Sequence, residues 1–406
     1  MTDTSFWSLY GEAVKTAAGF FWKSGWAFVL GYSISAMIQA FVPKSKLSQY
    51  MGEADLSSIG LSTFFGAASS SCSFAALATS RSLFAKGAHF IATVAFMFAS
   101  TNLVIELGIL ILIFLGWQFL VAEIIGGLVL IAVSSLLIRA TYPKAWLEDA
   151  RKKVQEDVPD EMQEDFDWRE RIGSKEGWER VGSAFAGEWK MVWEEILVGF
   201  TIAGFVAVFV PDSFWNALFL VDQQGALPGW LIALENAAVA PFVAAATFIG
   251  SMGNIPLATV LNASGVLFAG IMGFIYSDLI VPPLVAVNRR YYGWRVALYI
   301  AGIMYVSIVT TALILNGSFV LLGLTPQGRS DVAQLTQFKI DYTFFMNLAA
   351  VLIAGALLYL YRRRRTDEAD GGDGSDGLTA KRAVAYAFIV VLVGGLITLI
   401  VTGGAG

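Results

Sequence analysis

The sequence predicts an all-α integral membrane protein with about eight full transmembrane helices and two broken or re-entrant helical segments, arranged as an inverted repeat of two halves. Hydrophobic residues make up 56% of the 406 residues and charged residues 15%, with a mean hydropathy of +0.65. Soluble domains have about 45–50% apolar residues. Apolar runs recur at about the 20-residue length that crosses a bilayer. Stretches of small and polar residues at 69–80 and 250–259 interrupt two apolar segments.

Long apolar runs place the predicted spans. Lipid cannot satisfy exposed backbone groups, so the two apolar segments that contain Gly, Ser and Pro are predicted to be short, discontinuous or re-entrant helices that line an enclosed cavity. These two segments are Ile59–Thr79 and Gly229–Leu261. The eight full spans are Thr16–Val42, Gly87–Leu115, Gln118–Arg139, Glu195–Val210, Gly265–Asn288, Trp294–Asn316, Tyr342–Tyr361 and Ala383–Val401.

Two charged regions divide the chain. Residues 142–193 alternate charges of both signs with tryptophans, which predicts an exposed helical hairpin. Residues 362–382 combine a basic run with a Gly- and Asp-rich run, which predicts a flexible linker. The predicted organisation is a first membrane half at 1–141, the charged loop at 142–193, a second membrane half at 194–317 and two C-terminal helices at 318–406 joined by that linker. Excess Lys and Arg places both loops in the cytoplasm of a multi-pass cell-membrane protein.

The two membrane halves share a weak internal repeat. Leu77–Thr79 matches Leu257–Thr259 at an offset of 180, and Gly87 matches Gly265 at an offset of 178. The positive charges predict that the spans Gly87–Leu115 and Gly265–Asn288 run in opposite directions. Inverted repeats around a midplane site are common in secondary transporters. Chance similarity between Gly- and Leu-rich stretches is the alternative.

Two carboxylates inside the spans are candidates for ion coupling. A charge at the bilayer centre costs at least about 2.5–3.5 kcal/mol, so each needs a reason to be there. Asp278 lies in the middle of a span, and Glu106 follows Asn102 by about one helical turn, which predicts that these two share a face. Such carboxylates could bind and release protons. The alternative is a packing role through hydrogen bonds to a neighbouring helix. Glu123 and Glu235 lie near segment ends, where a solvated interfacial position is expected.

Cys72 is the candidate soft substrate ligand of the first stretch, and Ser71, Ser73 and Asn102 are the further candidate substrate-binding residues of the first half. A thiolate is a soft ligand for copper(I), trivalent arsenic and similar thiophiles. A free cysteine is also commonly a small buried residue, and this second interpretation stays open. With one cysteine and one histidine in the chain, the sequence predicts no metal site and no disulfide.

The second stretch contains the other candidate substrate-binding residues. Gly253, Asn254 and Pro256 lie within GSMGNIPLAT. Pro256 lacks a backbone donor, so it is expected to open the second half-helix and to free carbonyl groups for the substrate. An ordinary proline kink is the alternative.

At these residues a family resemblance emerges. The stretch SSSCSFAALATSRSLFAKGAHFIATVAFMFASTN and its partner GSMGNIPLATVLNASGVLFAGIMGFIYSDL resemble the two signature regions of the predicted-permease family that includes the ArsP organoarsenical efflux permeases and the YraQ-like proteins. The resemblance covers approximately Phe41 to Leu315 and implies a permease. The residues that match the family pattern are Cys72, Gly87, Asn102, Gly250, Gly253 and Pro256.

The leading functional prediction is a secondary permease that exports a small thiophilic or metalloid solute, similar to a trivalent organoarsenical, with proton coupling. A passive channel, or a permease for another small solute or metal ion, is the alternative. Enzyme motifs and the phosphate-binding GxxxxGK[ST] motif are absent from the sequence, which predicts neither an enzyme nor a cofactor. The acidic balance of -5 argues against nucleic acid as a partner. The expected partners are the bilayer and the small-molecule or metalloid substrate.

Overall fold

A computed structural model describes residues 6–41, 51–53, 55–69, 73–157, 168–326, 331–367 and 380–401. These residues are almost entirely helical, and no β-strand occurs among them. Among the described residues, six helical segments are long and apolar enough to cross a membrane, and a bent helix pair at Phe90–Phe114 brings the number to seven. This agrees approximately with the predicted eight and confirms the all-α membrane class.

The first half contains one long helix and a set of shorter ones. Helix α1 (Phe6–Phe41) is followed by two short helices, α2 (Leu56–Ser69) and α3 (Ser73–Ala85). The next pair, α4 (Phe90–Asn102) and α5 (Ile105–Phe114), is bent by 44° and leads into α6 (Trp117–Thr141). Helices α2 and α3 are each too short to cross the bilayer, because a crossing takes about 20 residues.

The charged region between the halves is helical where the structure describes it, and one face of its first helix is buried. Helix α7 (Lys144–Asp157) packs against α3 and against the second half, and it buries Leu147, Ala150 and Val154. These apolar residues recur at helical spacing, so they form one face that can dock on the membrane part.

The rest of the charged region leads into a long helix. Helix α8 (Trp168–Gly173) is followed by α9 (Lys175–Phe209), which runs without interruption from the charged region into the second half. The predicted boundary at 193/194 therefore lies inside one helix. The buried residues Val181, Phe185, Val192 and Ile196 explain this, because an apolar face continues through the polar part of α9.

The second half begins with the C-terminal part of α9 and continues through α10 (Asp212–Leu218), α11 (Gly229–Thr247) and α12 (Ser251–Ala263). Helix α13 (Phe268–Ile275) continues as a 3₁₀ segment, Tyr276–Ile280, before α14 (Pro282–Tyr292) and α15 (Trp294–Leu321). Pro256 lies inside α12, so the expectation that it opens this helix is wrong. Helix α12 begins at Ser251 instead. It follows Phe248, whose backbone is left-handed with φ of 56°.

The C-terminal region adds α16 (Val332–Leu335), α17 (Tyr342–Asp367) and α18 (Ala380–Val401). The predicted linker at 362–382 is shorter than expected, because residues 362–367 continue α17 and residues 380–382 begin α18. The predicted boundary at 317 lies inside α15. The central part of the linker lies outside the described residues.

The short helices of the two halves correspond element by element. Helices α3 and α12 each have 13 residues and begin at Ser73 and Ser251, and α4 and α13 begin at Phe90 and Phe268. Both pairs are offset by 178. Glycines with positive φ recur as well: Gly87 (103°) and Gly265 (90°), then Gly116 (97°) and Gly293 (86°).

Contacts show how α6 and α15 pack. The hydroxyl groups of Thr141, at the end of α6, and Tyr299, at the start of α15, are 2.9 Å apart. The ring of Phe90 packs on Tyr299 at this end. The ring of Phe268 instead contacts Phe119 at the start of α6 and Phe319 at the end of α15, with centroids 5.2 and 4.9 Å away. The two helices are therefore antiparallel, and the equivalent residues Phe90 and Phe268 lie at opposite ends of the pair.

Candidate functional site

The helix interruptions lie at equivalent points of the two halves. Helix α2 ends at Ser69 and α3 begins at Ser73, while α11 ends at Thr247 and α12 begins at Ser251. In the second interruption Phe248 has positive φ, which is uncommon for a residue other than glycine and is found at functional sites. Cys72 and Ser71 lie outside the described residues, so their roles stay predictions.

A hydrogen bond joins the first interruption to the second half. The hydroxyl group of Ser73, at the start of α3, donates to Oδ2 of Asp278 over 3.1 Å. Both residues are buried, and Asp278 is 0% exposed. Its other carboxyl oxygen, Oδ1, has no hydrogen-bond partner among the described residues. A buried acceptor without a partner is costly, so Asp278 is a functional candidate.

A second acidic residue connects Asp278 to the second interruption. The carboxylate of Glu195 on α9 lies close enough to Asp278 for the two like charges to repel each other. A side chain added at Gly250 would stand 2.5 Å from Oε2 of Glu195, so this carboxylate lies directly against the start of α12. Ser73, Asp278, Glu195 and Gly250 thus connect the two interruptions, and we call these four residues the polar junction. The sequence does not single out Glu195, because it stands at the start of a predicted apolar span, whereas the structure places it within one long helix.

Glycines bring α9 and α12 into close contact beside the polar junction. An added Cβ on Gly199 would lie 2.6 Å from the Cα of Gly253, and one on Gly253 would lie 3.0 Å from the backbone oxygen of Glu195. Neighbouring Asn254 is fully buried, and both polar atoms of its side chain lack hydrogen-bond partners among the described residues. Of the residues predicted from the second stretch, Gly253 therefore makes a backbone contact and Asn254 supplies unpaired polar atoms, whereas Pro256 lies within the helix.

The structure separates Glu106 from Asn102. The prediction that they share one helical face is wrong, because α4 ends at Asn102 and the chain bends before α5. Glu106 is buried, and its Cβ packs against Gly31 of α1. Asn102 donates from Nδ2 to the Phe98 carbonyl over 3.2 Å and lines a different part of the molecule, a cleft between α5 and α6.

Glu123 is also placed differently from the prediction. The expected solvated position is wrong, because Glu123 is 1% exposed and lines the same cleft as Asn102. Apolar residues surround it on α6, and Tyr276 reaches across from the second half to donate to the carbonyl groups of Ala122 and Glu123. Glu235 remains partly exposed and accepts a hydrogen bond from Asn236.

The single histidine, His89, has a structural role at the start of α4. His89 caps α4, because its Nδ1 accepts from the backbone N–H of Ile91 over 3.2 Å. Burial lowers the pKa of His89, and the positive charges of Arg151 and Arg139 lower it further. Within the part of the chain that the structure describes, no group of three His, Cys, Asp or Glu residues is arranged to hold a metal ion.

Known proteins are similar to this chain over most of its length. The sequence profile of the predicted-permease family ArsP_1 matches residues 9–317. The chain is 36% identical over 328 residues to "Putative permease Rv2963" of Mycobacterium tuberculosis (strain ATCC 25618 / H37Rv), an alignment that covers 78% of this chain and 79% of that protein. No solved structure is significantly similar to this chain. The chain belongs to the predicted-permease family, and this membership supports a membrane transporter rather than an enzyme.

Proposed function

We propose that this member of the predicted-permease family is a secondary permease that exports a small thiophilic or metalloid solute, similar to a trivalent organoarsenical. The solute binds at the polar junction, and Asp278 couples export to protons, with Glu106 as a second coupling carboxylate. The observation that carries the proposal is the 3.1 Å hydrogen bond between Ser73 and Asp278, which joins the two halves beside both helix interruptions.

The burial of Asp278 supports its coupling role. An ionised carboxylate without complete hydrogen bonding is unfavourable in a protein interior, so Asp278 gains from binding either a proton or a solute that donates to it. Proton and solute would then compete for the same oxygen atoms. Such competition is a simple physical basis for exchange of a proton for a solute.

The position of Cys72 in the chain supports a thiophilic solute. Cys72 directly precedes Ser73, the residue that contacts Asp278. A thiolate supplies a soft ligand, whereas the serine hydroxyl and the carboxylate supply hard oxygen atoms. One soft ligand among oxygen atoms suits exchangeable binding, which transport requires.

The packing of α6 against α15 supports an inverted repeat. In two equivalent halves of opposite orientation, matching residues must lie at opposite ends of the molecule. Phe90 and Phe268 do so relative to α6 and α15. Inverted halves allow the same site to open to either side of the membrane in turn.

A cluster of basic residues supports the proposed orientation. At the end of the molecule covered by α7, the guanidinium group of Arg151 donates to the Ala88 carbonyl over 2.7 Å, and Arg81 stacks over Tyr291. Arg290 and Arg295 also contact α7 at this end. Because Lys and Arg collect on the cytoplasmic side, this end and the loops 142–193 and 362–382 are assigned to the cytoplasm.

Solute accumulation tests the proposal. Cells that lack other arsenical exporters should accumulate less methylarsenite when they express the chain, and Cys72→Ser should weaken this effect by at least about tenfold, because the soft ligand is lost. Glu235→Gln, which changes a partly exposed glutamate on α11, should export like the wild type. Equal accumulation of methylarsenite in expressing and control cells would exclude it as a transported solute. Export that persists after the proton gradient is collapsed would instead indicate a passive channel.

A further inference from the structure

A cleft outside the polar junction forms where the chain bends between α4 and α5. Its volume is 370 Å³, at the lower end of the roughly 300–1,000 Å³ of small-molecule sites. Most lining residues are apolar, and several of them, including Ile105, Leu112 and Ile124, are exposed on the outer surface of the helices. The cleft therefore opens sideways, toward the position of the bilayer.

The polar lining of this cleft consists of hydrogen-bond acceptors. Asn102 and Glu123 are the polar side chains among its lining residues, and they are 2% and 1% exposed. Asn102 uses its Nδ2 for the Phe98 carbonyl and the Thr101 hydroxyl group, so its Oδ1 is left without a partner. Both carboxyl oxygens of Glu123 also lack hydrogen-bond partners among the described residues.

Unpaired buried acceptors indicate the chemistry of a ligand. The Tyr276 hydroxyl group lies beside the Glu123 carboxylate, but the acceptors that it reaches with good geometry are the backbone carbonyls of Ala122 and Glu123. An acyl chain from the bilayer could fill the apolar walls of the cleft, but it has no donor for these acceptors. A solute with hydroxyl groups next to an apolar body would satisfy both parts.

The cleft continues toward the basic end of the molecule. Leu103 and Leu128 line both this cleft and a neighbouring groove of 740 Å³ between α2 and α6, and that groove extends to Arg139 near the end of α6. The groove and the cleft therefore adjoin along α6, between Arg139 and Glu123.

We propose that the cleft between α5 and α6 is an entry site for small solutes that combine an apolar body with hydroxyl hydrogen-bond donors, and that Glu123 and Asn102 bind these hydroxyl groups. The inference rests on the proposed transport function, because it specifies the class of solute that the permease accepts. It differs from that function in its residues, none of which belongs to the polar junction.

Equilibrium dialysis against the full-length protein in nanodiscs tests the site. Phenylboronic acid serves as the probe with an apolar body and two hydroxyl groups, toluene serves as the matched compound without donors, and empty nanodiscs correct for partitioning into lipid. Wild type and the control Glu235→Gln should bind phenylboronic acid at least about tenfold more tightly than toluene. Glu123→Gln should weaken phenylboronic acid binding by at least about tenfold, because one acceptor becomes a donor.

A second variant tests the cleft without changing its polar atoms. Gly108 lines the cleft, and a Cβ there would stand 3.2 Å from Leu120, so Gly108→Leu fills the space and should likewise weaken phenylboronic acid binding by at least about tenfold. Equal binding by wild type, Glu123→Gln and Gly108→Leu would overturn the site. Native mass spectrometry tests two other occupants of the cleft, a phospholipid and a second copy of the chain. If the wild type carries either one, Gly108→Leu loses it, and the wild type does not bind phenylboronic acid, the proposed solute site is overturned too.

Methylarsenite export separates this inference from the proposed function. Loss of both probe binding and export in Glu123→Gln supports an entry site on the transport path. Glu123-dependent probe binding in a protein that exports no methylarsenite would support the site and contradict the proposed function. Normal export by a Glu123→Gln protein that binds the probe like the wild type would leave the function standing and overturn the site.

Discussion

Residues 56–141 and residues 229–321 build matching helices but place different side chains at matching points. Asp278 of the second half corresponds to Ser100 of the first half, at the same offset of 178 that relates Ser73 to Ser251. The Ser100 hydroxyl donates to the Met97 carbonyl of its own helix over 3.1 Å, whereas Asp278 binds across to the other half. The backbone frame is therefore repeated in the two halves, whereas the acidic group at this position is not.

The largest expected effect tests this asymmetry. Asp278→Asn should reduce methylarsenite export by at least about tenfold, because it removes the charge that a proton neutralises at the polar junction. Ser100→Ala should reduce export less than about twofold, since it removes a hydrogen bond within one helix. Export rates in vesicles, normalised to folded protein, measure both. Equal losses in the two variants would show that the halves contribute alike and would contradict the assignment of Asp278.

The next effect tests the shared frame. Gly116 and Gly293 precede α6 and α15 with φ of 97° and 86°, and no atom closer than 3.7 Å would obstruct a side chain at either position. Gly116→Ala and Gly293→Ala should each lower the free energy of unfolding by about 1–3 kcal/mol, since only backbone strain changes. Thermal denaturation in detergent measures this. Gly302→Ala, in open space on α15, is the control and should be neutral or slightly stabilising. A large loss of unfolding free energy in only one of the two glycine variants would contradict the structural equivalence of the two loops.

A smaller effect distinguishes how the two halves hold equivalent loops. Arg151 of α7 donates to the Ala88 carbonyl in the first half, whereas Oδ1 of Asn236 accepts from the Leu267 N–H in the second half, over 3.0 Å. Arg151→Ala should therefore speed hydrogen exchange in residues 86–89, and Asn236→Ala should speed it in residues 264–267, each by about tenfold for a loss of roughly 1.4 kcal/mol. Hydrogen-exchange mass spectrometry on each variant measures both loops. Acceleration in both loops with either variant would show that the loops are not held independently.

The smallest effect depends on pH and belongs to the first half alone. His89 has a lowered pKa when the protein is folded, so its neutral form stabilises the fold above the unfolded pKa of about 6.5. That stability is lost as the pH falls below this value, by less than about 1 kcal/mol once solvent screening is included. His89→Asn keeps a residue that caps helices well, and its melting temperature should change less between about pH 7 and pH 5. If the melting temperatures of wild type and His89→Asn change equally between about pH 7 and pH 5, this role of His89 is excluded.

Local sequence patterns predicted the frame of this protein well. Apolar runs of sufficient length indicated most of the spans, and small and polar residues marked the regions of both helix interruptions. The position of Asp278 in the middle of an apolar run predicted that it would be buried, since few residues of a span can reach solvent. These features depend on residues close together in the chain.

Features that depend on distant contacts were not predictable in the same way. Glu123 lies near the start of a span, and only the packing of Tyr276 and the cleft residues shows that it is buried. Glu195 is not apparent from the sequence because a polar and an apolar stretch form one helix. The docked face of α7 is not apparent either, because the surface on which it docks comes from three other helices. The periodicity that suggested a shared face for Asn102 and Glu106 fails at a bend that the apolar sequence does not mark.

A double-mutant cycle on Ser73 and Asp278 tests most directly whether the two halves form one transport site. Export of methylarsenite is measured in vesicles for wild type, Ser73→Ala, Asp278→Asn and the double variant, each normalised to folded protein. Since one hydrogen bond joins the two residues, we expect the double variant to export no more slowly than Asp278→Asn alone. Losses that multiply, as they do for independent sites, would contradict a single polar junction shared by the two halves.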